Sequence, residues 1–153
     1  RIERTVPMEF KSIGMGYKIK NMNLKSPKIN LSKSAHEVFD FLGNVKNFEG
    51  LMPKNISKFE LLEKDKFIFA LTGMPEIILQ KKSEEAPNSI VLGAAGGKLD
   101  FTLEANITSI ESHKSEVQLF FTGDFNPMMA MMIKGPISKF IETLATNIPK
   151  SIQ

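Results

Sequence analysis

From Leu99 to Ile107 the side chains alternate without a fault: Leu99, Phe101, Leu103, Ala105 and Ile107 are apolar, while Asp100, Thr102, Glu104 and Asn106 are polar. A period of two puts one set on each face of an extended strand, so one face is buried and the other meets water. Val117, Leu119, Phe121 and Phe125 repeat the pattern, with Glu116, Gln118, Thr122 and Asp124 in the opposite phase. Between Ile56 and Phe125 five turn-forming stretches separate six such strands: Glu63-Lys64-Asp65-Lys66, Thr72-Gly73-Met74-Pro75, Ala86-Pro87-Asn88-Ser89, Ala95-Gly96-Gly97-Lys98 and Glu111-Ser112-His113-Lys114. Links this short reverse a chain but cannot carry it back across a sheet, so the strands form an antiparallel meander. Its apolar face has to be covered, and one later segment is long enough to do so.

That segment opens at Asn126-Pro127, an asparagine suited to a helix cap followed by proline at the first helical position. Met129, Met132, Ile133, Pro136, Ile137, Phe140, Ile141, Leu144 and Ile148 then make a broad apolar stripe up to Pro149, which is expected to end the helix after about 33 Å. Pro136 has no donor for the Met132 carbonyl, so a bend is expected at Gly135-Pro136. Ahead of the meander, Leu24 to Leu31 reads as a strand whose Pro27 marks an edge or a bulge. Ser34 and Glu37 have the spacing of a capping box for a helix carrying Ala35, Val38, Phe39 and Leu42, with Gly43 as its stop. A second short helix carries Val45, Phe48 and Met52 and ends before Pro53. Met15, Tyr17 and Ile19 alternate with Gly16, Lys18 and Lys20, the pattern of a short edge strand. Helices before and after one long meander make an α+β order.

Composition narrows the chemistry. The 153 residues, 42% hydrophobic and 24% charged, suffice for one domain with a real core. With no cysteine there is no disulfide framework, thiolate site or cysteine nucleophile, and two histidines, His36 and His113, are too few for a multi-histidine metal site. No metal and no cofactor are expected. The net charge of +3 resides in residues 1–21, where Arg1, Arg4, Lys11, Lys18 and Lys20 face only Glu3 and Glu9; beyond them basic and acidic groups balance. Arginine, the usual reader of bases and phosphates, is absent after Arg4, so nucleic acid is not the expected partner. The longest apolar run, Met128 to Ile133, falls far short of the roughly 18 residues of a membrane span. Residues 1–21 hold no apolar core of a signal peptide, and a cytoplasmic location is the expectation.

Three phrases carry a resemblance: Lys33-Ser34-Ala35-His36-Glu37-Val38-Phe39-Asp40-Phe41-Leu42, Asn47-Phe48-Glu49-Gly50-Leu51-Met52-Pro53 and Phe125-Asn126-Pro127-Met128-Met129. In these phrases and in its element order the chain resembles small bacterial members of the START-like or SRPBCC superfamily, the Bet v 1-like helix-grip fold of polyketide cyclases and lipid-transfer domains. The resemblance covers about residues 22–153. Residues 1–21 are read as a basic extension, and Met22 as a candidate start, because the fold's first strand begins just beyond it. The resemblance implies a curved antiparallel sheet of about seven strands around the long C-terminal helix, with two short helices after the first strand and an apolar cavity between sheet and helix. The side chains expected to line it are Phe67, Phe69, Leu79, Phe101, Leu103, Leu119, Phe121, Met129, Met132, Ile133, Phe140 and Leu144. Each is also read as plain core.

The function implied is binding of a hydrophobic small molecule, lipid-like or aromatic and polyketide-like, without catalysis; a homodimer stays open. A cyclase or hydrolase is the first rival and needs a carboxylate inside the cavity. Asp100, Glu104, Glu116 and Asp124 fall in the outward phase, which leaves Glu60 and Glu76 near strand ends as the candidates. The second rival is a protein-interaction module with a filled core and an exposed apolar patch. Methionines 128, 129, 131 and 132 suit either a cavity mouth or gap filling. Gly93 to Lys98 lacks the residues of a phosphate loop, and Gly14-Met15-Gly16 those of a dinucleotide fingerprint.

Overall fold

A computed structural model describes residues 19–63, 65–95 and 100–152, with side chains from Met22 onward. Eight strands form one antiparallel sheet: β1 (Ile19–Lys25), β2 (Ile29–Leu31), β3 (Ile56–Leu62), β4 (Lys66–Leu71), β5 (Ile77–Glu85), β6 (Ser89–Ala94), β7 (Asp100–Glu111) and β8 (Lys114–Phe125). The order is β1-β8-β7-β6-β5-β4-β3, with β2 also on β8. The six meander strands thus pair in sequence, and the chain's opening strands close onto its last one. Leu99, the Ala95–Lys98 hairpin tip, Met15 and Tyr17 fall wholly or partly outside the described residues.

The single strand expected over Leu24–Leu31 is two, because Pro27 cannot donate to a ladder. β1 opens at Ile19, within the stretch assigned to the extension, and its backbone pairs opposite Phe125. Ser26 bridges the break. It is buried, its N–H donates to the Leu119 carbonyl, and its Oγ accepts from the Leu119 N–H at 2.9 Å. With that break the described residues form eight strands, in the expected curved sheet of about seven.

Helix α1 (Ala35–Gly43) starts with the expected capping box: the Glu37 N–H donates to Ser34 Oγ at 3.1 Å, and the Ser34 N–H to Glu37 Oε1 at 2.8 Å. The Ser34 backbone donor holds the Glu37 carboxyl below its ordinary range. A lowered pKa means that this contribution is present above the ordinary carboxylate range and is lost as pH falls through the lowered value. Gly43 is the last helical residue, but the chain leaves through Asn44 in extended conformation, and Asn44 caps a 3-10 helix, Val45–Leu51. Its buried residues Val45, Phe48 and Leu51 recur every three positions, the period of a 3-10 turn.

The long helix α2 (Pro127–Ser151) is capped by Asn126, whose Oδ1 accepts from the Met129 N–H at 2.8 Å. It runs unbroken through Gly135-Pro136 and, contrary to expectation, past Pro149. Proline removes one donor there, but the last turn is fixed from outside. Asn147 donates to the Leu51 carbonyl at 3.0 Å and Ser151 to the Gly50 carbonyl at 3.2 Å. Ile152, buried itself, donates its N–H to the Ile148 carbonyl. One hydrophobic core, from Met22 to Ile152, joins α1, the 3-10 helix, α2 and the inner face of the sheet.

One polar contact ties α1 to the sheet. Lys81 of β5, 18% exposed, donates to the Gly43 carbonyl at 3.0 Å and pairs with Glu84 at the same distance. A cation at a helix C-terminus satisfies an orphan carbonyl and opposes the negative end of the dipole. Lys81→Met is therefore expected to cost about 1–2 kcal/mol in urea unfolding; an unchanged midpoint would mean that water replaces the contact freely. Gly135 makes the opposite case. An added Cβ there meets nothing within 4 Å and the backbone is not left-handed, so Gly135→Ala should raise stability by about 0.5–1 kcal/mol. A loss would show that the helix needs glycine's freedom at that point.

Candidate ligand cavity

Between the first half of α2 and the inner face of the sheet lies a cavity of about 180 Å3. Alternation along the strands supplies its walls: Phe69 from β4, Ile77 and Leu79 from β5, Phe101 and Leu103 from β7, Phe121 and Phe125 from β8. Register brings them level, since Phe69 pairs opposite Ile77 and Leu103 opposite Phe121. Met129, Met132, Ile133, Ile137 and Phe140 cover it from α2, and Gly73, Met74 and Pro75 close one side from the β4–β5 turn.

The phenylalanines form two groups across this space. Phe69 and Phe140 stack almost parallel, 5.0 Å between centroids and 7° between planes, fastening α2 to β4. Opposite them Phe101 lies 5.0 Å from Phe121, which lies 6.1 Å from Phe125. The row fits because position 123 is glycine. A Cβ there would stand 2.7 Å from Phe125 Cε2 and 2.8 Å from the Phe101 Cβ.

Nine of the twelve side chains expected around a cavity surround this one: Phe69, Leu79, Phe101, Leu103, Phe121, Met129, Met132, Ile133 and Phe140. Phe67, Leu119 and Leu144 do not line it, although all three are buried. Phe67 packs instead against Phe48 of the 3-10 helix and Phe59 of β3, at 5.5 and 5.2 Å. Residue phase marks the inner face, but the 3-10 helix fills part of that face and leaves only the remainder open. Ile77, Phe125 and Ile137 share the phase of residues that were singled out, so the same signal points to them. The turn residues Gly73, Met74 and Pro75 carry no periodic signal.

Of the four methionines at 128–132, helical spacing sends Met129 and Met132 to the cavity, and Met128 and Met131 to the outer face, 73% and 83% exposed. Met132 is itself 65% exposed and, with the exposed Pro75, marks the mouth. Among the described residues no titratable side chain lines the cavity. Glu60 is exposed, and Glu76 turns outward to Lys58 at 3.0 Å. That hydrogen bond raises the Lys58 pKa. His36 and His113 are exposed. Among the described residues no three histidine or carboxylate side chains gather as a metal set, and no helix is long and apolar enough to cross a membrane.

No protein-family model and no curated protein sequence matches the chain. Solved structures do. Norcoclaurine synthase from Thalictrum flavum superposes with a TM-score of 0.68 at 9% identity over 97% of both chains. Its complex with dopamine and hydroxybenzaldehyde matches at 0.64 and 8%, over 93% of this chain and 96% of that one. A START superfamily protein from Mycobacterium smegmatis gives 0.66 at 12%, covering 85% of this chain and 96% of its own. The chain has the START-like helix-grip fold. In this START-like chain, then, the grip is partly filled and partly hollow, and Gly123 sits at the boundary of the hollow. Gly123→Ala is expected to push the Phe125 ring and the Phe101 Cβ away from position 123 and to cost about 1–3 kcal/mol, read by thermal or urea unfolding. Wild-type stability in that variant would mean that the rings repack into the void.

Proposed function

We propose that this START-like chain binds, without catalysis, an apolar molecule about the size of one aromatic ring. The observation that carries the proposal is the 180 Å3 cavity with wholly apolar side chains around it. Water entering such a space finds no partners, and a cavity of about 150 Å3 lined by aliphatic and aromatic groups stays dry and takes up benzene. The volume supports a single ring or a short chain over a polycyclic polyketide or a diacyl lipid. Among the described residues its lining holds no carboxylate, which favours binding over turnover. A hollow of this size also counts against a module that acts through a filled core. The norcoclaurine synthase complex, whose dopamine and hydroxybenzaldehyde are single-ring aromatics, is consistent with the size argument.

The expected affinity is modest. A ring-sized ligand buries roughly 150–250 Å2, worth about 4–6 kcal/mol, of which association entropy removes a part. A dissociation constant of about 1 mM follows. Titration with toluene or indole, followed by methyl NMR, should shift Leu79, Leu103, Ile133 and Ile137 together while leaving Ile90 and Ile148, buried in the filled region, in place. Ile133→Trp, which fills the hollow, should abolish those shifts. Shifts spread evenly over the core, or none at millimolar ligand, would sink the proposal.

A further inference from the structure

The ring-sized cavity does not end at a plain surface. Beside it a groove of about 740 Å3 runs between the Met52–Asn55 link, the end of β4 and the middle of α2, and Met74 and Phe140 line both spaces. The cavity alone is smaller than the roughly 300–1,000 Å3 of ordinary ligand sites, and only together with the groove does it reach that range. The charge in the groove has one sign. Lys54 from the link and Lys139 from α2 line it, and among the described residues no aspartate or glutamate does. Both lysines are exposed, and among the described residues neither is salt-bridged, whereas Lys58 and Lys81 are held by Glu76 and Glu84. Asn55 and Thr143 place further polar side chains along the same groove.

Met74 is the partition. It is half-buried in a turn where its N–H donates to the Leu71 carbonyl at 2.9 Å and Gly73 takes a left-handed φ of 84°. An unbranched thioether is the side chain that yields most easily to a ligand passing it. From the adjoining cavity and groove, which share Met74 and Phe140 as walls, we infer that the ligand is an amphiphilic carboxylate, an aryl-alkanoate or short-chain acid, whose apolar end fills the cavity and whose anionic head lies between Lys54 and Lys139. This rests on the cavity being a binding site and adds the chemistry of the head group. Two exposed ammonium groups acting on one carboxylate amount to a preference on the order of tenfold over an uncharged analogue.

The test compares 3-phenylpropionate, 3-phenylpropanol and 3-phenylpropylamine, titrated into the wild-type protein and into the double variant Lys54→Met/Lys139→Met. The acid should bind on the order of tenfold more tightly than the alcohol and the amine more weakly, with the difference shrinking as salt is added. In the double variant the acid should fall to the affinity of the alcohol, while the alcohol itself binds as before and so reports an intact fold and cavity. Equal binding of acid and alcohol to the wild type, or an acid preference that survives the double variant, overturns the inference and leaves the cavity proposal standing. Failure of all three to bind overturns both. If acid and alcohol bind alike but phosphatidylglycerol vesicles bind the wild type and not the variant, the lysines belong to a membrane-facing surface and the inference is likewise wrong.

Discussion

An antiparallel sheet with one apolar face is insoluble in water until something covers that face, and everything else in this structure follows from how α2 covers it. The helix packs on β8 and β1, and through the Phe140–Phe69 stack it also reaches β4, near the far edge of the sheet. The cover therefore spans strands distant in the sheet order and holds the curve between them. Strand β8 is the anchor on the other side: it pairs with β1, β2 and β7, so the first two described strands meet the end of the meander along it.

Seating one straight element on a curved surface leaves space that side chains must fill. At one end they do: the 3-10 helix inserts Val45, Phe48 and Leu51, and Phe67 packs against Phe48 rather than against a hollow. At the other end no element among the described residues intervenes between sheet and helix, and the cavity remains. Gly123 fits the same geometry, since a methyl group at that point would collide with the Phe125 ring and the Phe101 Cβ of the wall. Close packing is the rule in protein interiors, and this space of about 180 Å3 departs from it.

Charge is distributed in keeping with that division. Among the described residues the interior wall carries none, and Glu76, beside the wall residue Ile77, turns outward to Lys58. Charging a dry wall would incur a large desolvation cost, whereas a lysine at a groove keeps its ammonium hydrated and still attracts an anion. An apolar chamber beside a cationic groove separates the two ends of an amphiphile by environment.

Local pattern alone determined much of this protein. Alternation identified all six meander strands, the Ser34 and Asn126 caps placed both helix starts, and residue phase put most of the cavity wall on the inner face. These signals are legible because each depends on near neighbours: a period of two, a spacing of three, a proline without a donor. The departures have the opposite character. Whether α2 stops at Pro149 was decided by Gly50 and Leu51, about a hundred residues away. The break at Ser26 was held by Leu119, and Phe67, Leu119 and Leu144 were separated from the cavity by what packs elsewhere along the same face. A sequence period tells which way a side chain points, but not how far along the sheet the next element lies. Where the core is full and where it is hollow is a sum over elements distant in the chain, and only the tertiary structure evaluates it.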